Sequence, residues 1–319
     1  MSQLVPSISA KKDPEFVRST ILGGKVGTID PIRRPAALVV QGGGMRGTYS
    51  IGALATLEHA GLAENFDYVI GSSAGAINAS YLLARQTEDS VRGYLEDLSD
   101  DRFINFRRPW KIVDIDYLID HVVKGTRKLQ IGEIRGSCVE LQVVLTNVMT
   151  GEACVFRGTD RDFDFYEVLR ATAALPILYG REIGLGTEKF VDGGVSESIP
   201  FLRAIELGCK SILVITTVLP DRRRPGLSGF EKIVAKIALR NNSAEFRNRL
   251  LLPDTEFNKT MELLFDEGTH DGEVHFATVS PSDATKLVSR TTRDLGQLQA
   301  CVEMGREDMR QWLLPPGGD

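Results

Sequence analysis

The chain opens its ordered part with short, unbroken apolar runs, each closed by glycines and followed by helical periodicity. Ala36-Ala37-Leu38-Val39-Val40 has strand length and no polar position, the pattern of a strand covered on both faces. It runs into Gln41-Gly42-Gly43-Gly44-Met45-Arg46-Gly47, and then Ile51, Leu54, Ala55 and Leu57 recur at helical spacing before Gly61 stops the helix. Tyr68 to Ile70 repeats the theme as a short buried strand. It enters Gly71-Ser72-Ser73-Ala74-Gly75, after which Ile77, Tyr81 and Ala84 share one helical face. Two consecutive strand–glycine loop–helix units predict parallel strands in an α/β sheet.

Further along, 86–128 reads as helical and charged, and 139–148 as a strand that turns through Met149-Thr150-Gly151-Glu152 into a second, 153–156. A short helix over 166–174 is closed by Pro176, and Lys189-Phe190-Val191 is a strand ending in Asp192-Gly193-Gly194. A helix over 200–207 and a strand over 211–218 follow; then come a largely helical stretch over 230–265, an alternating strand over 273–279, and one or two amphipathic helices over 285–314. The predicted organisation is an irregular arm over 1–33, a catalytic core over 34–220 and a mostly helical C-terminal extension over 221–319 packed on it.

The candidate chemistry sits in the loops. Gly71 to Gly75 is a G-x-S-x-G with Ser73 at its centre, in the strand–turn–helix context that a nucleophile elbow needs. The helix that begins there would aim its N-terminal N–H groups and positive dipole end at a reacting oxygen. Gly42, Gly44 and Gly47 formally satisfy the dinucleotide fingerprint G-x-G-x-x-G, which makes a nucleotide-binding module one reading. That reading wants a carboxylate at the end of the second strand, but Asp67 precedes this strand and Gly-Ser-Ser ends it. The other reading is an oxyanion hole, in which Gly42, Gly43 and Gly44 present backbone N–H groups and Arg46 adds positive charge. Ser73 needs a base, and Asp192, at a strand end, would lie on the same rim of the sheet if its strand is parallel. His270 and His275 follow Asp192, so the Ser…Asp…His order of an α/β-hydrolase triad is also open.

Composition narrows the class. Apolar residues make up 42% of the 319 and charged residues 25%, enough for an ordinary globular core. A net charge of −5 argues against a nucleic-acid partner. Cys138, Cys154, Cys209 and Cys301 have neither metal-knuckle nor C-x-x-C spacing, which suits free thiols in a reducing cytosol. Residues 1–34 contain no apolar core of signal-peptide length and no stretch reaches membrane-spanning length, so a cytoplasmic location is expected. Basic and aromatic residues alternate from Arg102 to Lys111, a patch suited to peripheral contact with lipid or to anchoring a loop.

Taken in order, Gly42-Gly43-Gly44-Met45-Arg46-Gly47, Gly71-Ser72-Ser73-Ala74-Gly75 and Asp192-Gly193-Gly194 resemble the three blocks of patatin-like phospholipases, and more narrowly their bacterial branch. The resemblance extends over roughly residues 33–310, with Asn248-Arg249, Phe257-Asn258 and Arg293-Asp294 among the later matches. Glu197 departs from the Asp or Asn expected there. The resemblance implies a three-layer α/β/α fold with a mostly parallel sheet. It also implies hydrolysis of lipid or small esters without calcium or another cofactor, and a Ser–Asp dyad lacking histidine. Carried onto this chain, Ser73 is the nucleophile and Asp192 its partner, with Gly42, Gly43, Gly44 and Arg46 forming or supporting the oxyanion hole.

Overall fold

The computed structural model describes residues 10–24, 35–108, 111–224, 226, 239, 242–251, 254–266 and 272–314. Among the described residues, nine strands form one sheet: β1 (Ala10–Lys12), β2 (Ala36–Val40), β3 (Tyr68–Ser72), β4 (Glu140–Asn147), β5 (Ala153–Arg157), β6 (Ile183–Leu185), β7 (Glu188–Asp192), β8 (Ser211–Ile215) and β9 (Val274–Val279). Their order is β1-β9-β8-β2-β3-β4-β7-β6, with β5 paired to β4. The run from β1 to β4 is parallel throughout. The β4–β5, β4–β7 and β7–β6 pairs are antiparallel.

β2 and β8 are buried at every position, as their unbroken apolar runs require. Alternate residues point to opposite faces. Ala36, Leu38 and Val40 join one core cluster, and Ala37 and Val39 join a second. On the first face lie α1 (Pro14–Gly23), α2 (Gly47–His59), α3 (Ala74–Leu83) and the helix Leu295–Leu313; on the second lie the helices Phe201–Glu206 and Thr255–Phe265. The result is the α/β/α sandwich with a mostly parallel sheet.

Four expectations need correction. The N-terminal arm is not irregular over its described residues: β1 pairs with β9, and Asp13 caps α1 by accepting from the Phe16 N–H at 3.1 Å. A three-residue strand carries almost no local signal, because the partner that completes its ladder lies more than 260 residues away. Likewise, the segment after residue 220 is not merely an addition to the core, since it supplies β9, an internal strand of the sheet. The helix expected from Thr285 begins at Leu295, where Asp294 caps it. Between 86 and 128 the chain is broken into a short α-helix and two π-helical stretches, Gly93–Asp97 and Tyr117–Thr126. The start of the helix expected over 230–265 lies outside the described residues; Ala244–Leu251 and Thr255–Phe265 are helical.

α2 carries the glycine loop at its N-terminus and is almost entirely buried. The helix Leu295–Leu313 crosses it at close range, because Gly52 and Gly305 each face the partner's backbone. A β carbon on Gly305 would lie 2.0 Å from the Tyr49 carbonyl oxygen, far inside van der Waals contact. Tyr49 Oη donates to Asp308 at 2.9 Å across the same contact. Gly305→Val should therefore destabilise the protein by about 1–3 kcal/mol, the usual penalty of overpacking, read as a lower urea midpoint. An unchanged midpoint would mean that the two helices separate freely and do not hold the glycine loop.

Candidate active site

The site arises where one strand edge changes partners. β4 pairs with β5 over Gln142–Thr146, with β3 up to Val144 and with β7 from Leu145 onward. Because β5 overlaps both, β3 and β7 share the opposite edge of β4 and meet head-on. β3 ends at Ser72 opposite Val144, and β7, running the other way, ends at Asp192 opposite Leu145. Two chain ends cannot occupy one line, so each turns out of the sheet, β3 at Ser73 and β7 at Gly193. The turns bring Ser73 Oγ to 2.7 Å from Asp192 Oδ2. Asp192 thus reaches the rim from an antiparallel strand, not from the parallel strand anticipated above.

Each turn is built for its crowding. Ser73 has φ 54° and ψ −134°, a region that costs a non-glycine residue about 1–3 kcal/mol. Its N–H donates to Thr172 Oγ1 at 2.9 Å, and Thr172 Oγ1 donates in turn to the Val144 carbonyl at 2.6 Å. This hydroxyl fills the gap in the ladder between β3 and β7. Gly193 packs directly on the same Val144 carbonyl, with no room for a β carbon. The Asp192 main chain is fixed on both sides, its N–H donating to Ala174 and its carbonyl accepting from Thr146 Oγ1. The remaining carboxylate oxygen, Oδ1, accepts from the Gly194 N–H at 2.7 Å.

The glycine loop lies against this centre. A β carbon on Gly42 would be 2.7 Å from Ser73 Cβ, so only glycine permits the approach. The chain just past β8 holds the loop: Thr217 Oγ1 donates to the Gly42 carbonyl at 2.7 Å, and the Thr217 N–H donates to the Gln41 side chain at 2.6 Å. Arg46 donates from Nε to the Val288 carbonyl, and the Met45 N–H donates to the Arg290 carbonyl.

Ser73 borders two spaces. A narrow apolar cavity of about 60 Å³ runs behind it, lined by Ile77 and Tyr81 of α3 and by Leu118, Val122 and Val123 of the second π-helical stretch. A wider cleft of about 660 Å³ lies in front, lined by Gly42, Gly43, Gly44 and Arg46 together with Asp192 and several further arginines. Arg290 borders both.

Asp192 is 2% exposed. Burial raises its carboxyl to about 6, against the opposing hydrogen bonds from Ser73 and Gly194 and the positive charges of Arg290 and Arg224. It is therefore a carboxylate that holds its proton more firmly than an exposed one and is still ionised above neutrality.

The other sequence candidates lie elsewhere. His275 Nδ1 is 3.1 Å from Asp13 and its ring stacks on Phe16, so its acidic partner is not Asp192. His270 lies outside the described residues. In the Arg102–Lys111 patch, Arg102 pairs with Asp100, Arg108 with Asp114, and Lys111 with Asp114 and Asp116. Phe106 remains exposed there. Glu197 forms a two-point pair with Arg203 at 2.5 and 2.8 Å. Thr172, Thr217 and Arg290 were not singled out from sequence. The signal for Thr172 was one hydroxyl within the apolar run Ala171-Thr172-Ala173-Ala174.

The patatin-like phospholipase family model matches residues 38–205, more than half of the chain. The chain belongs to this family. Among curated proteins it is 27% identical over 198 residues to the uncharacterized protein YjjU of Escherichia coli K12, covering 57% of this chain and 52% of that one. The chain thus spans about half the length of the curated relative it matches. VipD of Legionella pneumophila has a similar fold, with a TM-score of 0.50 at 13% identity, covering 88% of this chain and 66% of that one. Human GIVD cytosolic phospholipase A2 gives 0.42 at 11% identity, covering 94% of this chain and 63% of that one. The matched blocks contain the glycine loop, Ser73 and Asp192; Thr217 and Arg290 lie beyond them.

Two substitutions probe this construction. Thr172→Val leaves the Ser73 N–H and the Val144 carbonyl buried and unpaired, so it should lower stability by about 1–3 kcal/mol, measured by urea denaturation; no loss would mean the hydroxyl does not support the turn. Asp192→Asn tests burial of the charge. A raised carboxyl means that the folded state binds more protons than the unfolded state between pH 4 and about 6, so stability falls as pH rises through that window. A rise from 3.8 to about 6 corresponds to about 3 kcal/mol. The Asn variant should therefore gain thermal stability over wild type at pH 7.5 and lose that advantage at pH 4. Equal melting temperatures at both pH values would refute the buried charge.

Proposed function

We propose that the protein is a serine lipid acyl hydrolase, a carboxylic ester hydrolase of phospholipase A, lysophospholipase or esterase type, working through Ser73 and Asp192. The observation that carries this reading is the 2.7 Å contact between Ser73 Oγ and Asp192 Oδ2 where the apolar cavity meets the cleft. Asp192 accepts the Ser73 proton as Oγ attacks the ester carbonyl. Oγ–C bond formation then places negative charge on the carbonyl oxygen. Backbone N–H groups of the Gly42–Gly44 loop receive that oxyanion, with Arg46 in support; one such donor is worth about 3 kcal/mol. Collapse expels the alcohol or lysolipid, which takes the proton from Asp192. Water then attacks the acyl-enzyme with Asp192 again as base and releases the fatty acid. The acyl chain is directed toward the apolar cavity that borders Ser73, and the head group lies in the cleft.

A base raised to about 6 makes the pH profile diagnostic. Asp192 must be ionised to accept the proton, so kcat/KM for p-nitrophenyl esters should rise with pH through about 6 and then level off. Ser73→Ala and Asp192→Asn should each lower turnover by at least about 10³-fold, and Ser73→Ala should abolish labelling by a fluorophosphonate. His275→Ala should remain active. A Ser73→Ala variant that still turns over ester, or a His275→Ala variant as inactive as the dyad variants, would overturn the dyad.

A further inference from the structure

Among the described residues three strands have a free edge, and they are not alike. β1 and β6 end the strand order, and each is three residues long. β1 carries Lys11 and Lys12, and β6 has Gly184 at its middle. Short length, lysines and glycine discourage a sheet edge from pairing with another chain. β5 lacks these protections. It pairs with β4 alone, runs five residues as Ala153-Cys154-Val155-Phe156-Arg157, and contains no proline, glycine or lysine.

The register identifies the free backbone groups. The Asn147 N–H donates to the Glu152 carbonyl, and the Gly158 N–H donates to the Leu141 carbonyl, so both are hydrogen-bonded pairs. Such pairs alternate along an antiparallel ladder. Cys154 and Phe156, opposite Leu145 and Val143, therefore bond to β4, whereas Ala153, Val155 and Arg157 turn their N–H and C=O groups away from it. The Arg157 N–H is taken by Asp160 Oδ2 at 2.9 Å. Among the described residues, the N–H and C=O groups of Ala153 and Val155 have no partner. Both residues are half-buried, where unpaired backbone groups are costly.

We infer that two copies of this chain pair antiparallel along β5, with Cys154 facing Cys154 of the second copy across a two-fold axis, so that their sheets become one. In this register Ala153 exchanges two hydrogen bonds with Val155 of the second copy, and Val155 exchanges two with its Ala153. A two-residue slip in either direction sets one of them against Arg157 or Gly151, whose N–H groups are already used. Charge favours the same direction. Glu152 and Arg157 flank the strand, so antiparallel pairing brings opposite charges together at both ends, and parallel pairing would bring like charges together. An identical strand is the occupant that repeats this match on both sides of the axis. The contact uses none of the groups assigned to catalysis and does not depend on the proposed activity.

Sedimentation equilibrium of the full chain at about 1–100 µM should show a concentration-dependent dimer, the behaviour of a small interface. Val155→Pro removes a donor that points away from β4, so β5 should stay in its sheet while the dimer Kd rises at least about tenfold. Cys154→Lys leaves the backbone whole, sets two positive charges on the axis and should weaken pairing as much. Both variants should keep the circular dichroism of wild type. In the unaltered protein, copper phenanthroline should join Cys154 to Cys154 of the second copy. A non-hydrogen-bonded antiparallel pair holds its Cα atoms about 4.5 Å apart, within reach of a disulfide. The covalent dimer should persist in Cys138→Ser and vanish in Cys154→Ser; Cys138 is exposed and controls for random collision. Three outcomes would overturn the inference: a monomer throughout that range, a dimer that survives both Val155→Pro and Cys154→Lys, or a dimer with no crosslink through Cys154.

Discussion

Everything at the centre of this molecule depends on a break in one hydrogen-bond ladder. A single edge of β4 serves β3 as far as Val144 and β7 from Leu145, and neither strand can continue past the other. The collision forces a positive φ at Ser73 and a turn at Gly193, and it leaves the Val144 carbonyl to Thr172. A strained turn persists only where its surroundings over-determine it. Here the determinants are the Thr172 hydroxyl bridge, α3 growing from the turn, and β4 running unbroken beneath.

The electrostatics follow from that geometry. A carboxylate driven into the sheet rim loses water and, among the described residues, keeps Ser73 and the Gly194 N–H as its direct side-chain partners, so its ionised form is disfavoured. Such a charge works against stability at neutral pH, and a raised carboxyl is the property that a general base near neutrality requires. Arginines in the cleft supply the opposite field. Some are absorbed by Asp254 and Glu256, and the remainder leaves the cleft positive within a chain whose net charge is −5. Bulk charge therefore says little about what the cleft attracts.

The second half of the chain serves as a clamp on the first. The segment after β8 reaches the glycine loop through Thr217, and the helix Leu295–Leu313 locks α2 through the Gly52–Gly305 crossing. The segment before that helix delivers the Val288 and Arg290 carbonyls to Arg46 and Met45. The loop is consequently held from three directions by residues that no local pattern connects to it.

Local pattern was enough for the parallel α/β core and for the Ser73 turn, and it marked Gly42–Gly44, Arg46 and Asp192 as candidates. These features are encoded in neighbouring residues: apolar runs that must be covered on both faces, glycines where backbones touch, and helical periodicity after each loop. Tertiary structure alone decided that β7 is antiparallel, that β1 and β9 complete the sheet, and that His275 pairs with Asp13. It also decided that Thr172, Thr217 and Arg290 converge on residues 99, 176 and 245 positions away. The reason is physical. Periodicity and turn chemistry act within a few residues, whereas the choice of partner on a strand edge, and the charges that gather in a cleft, are set when distant segments compete for the same buried space.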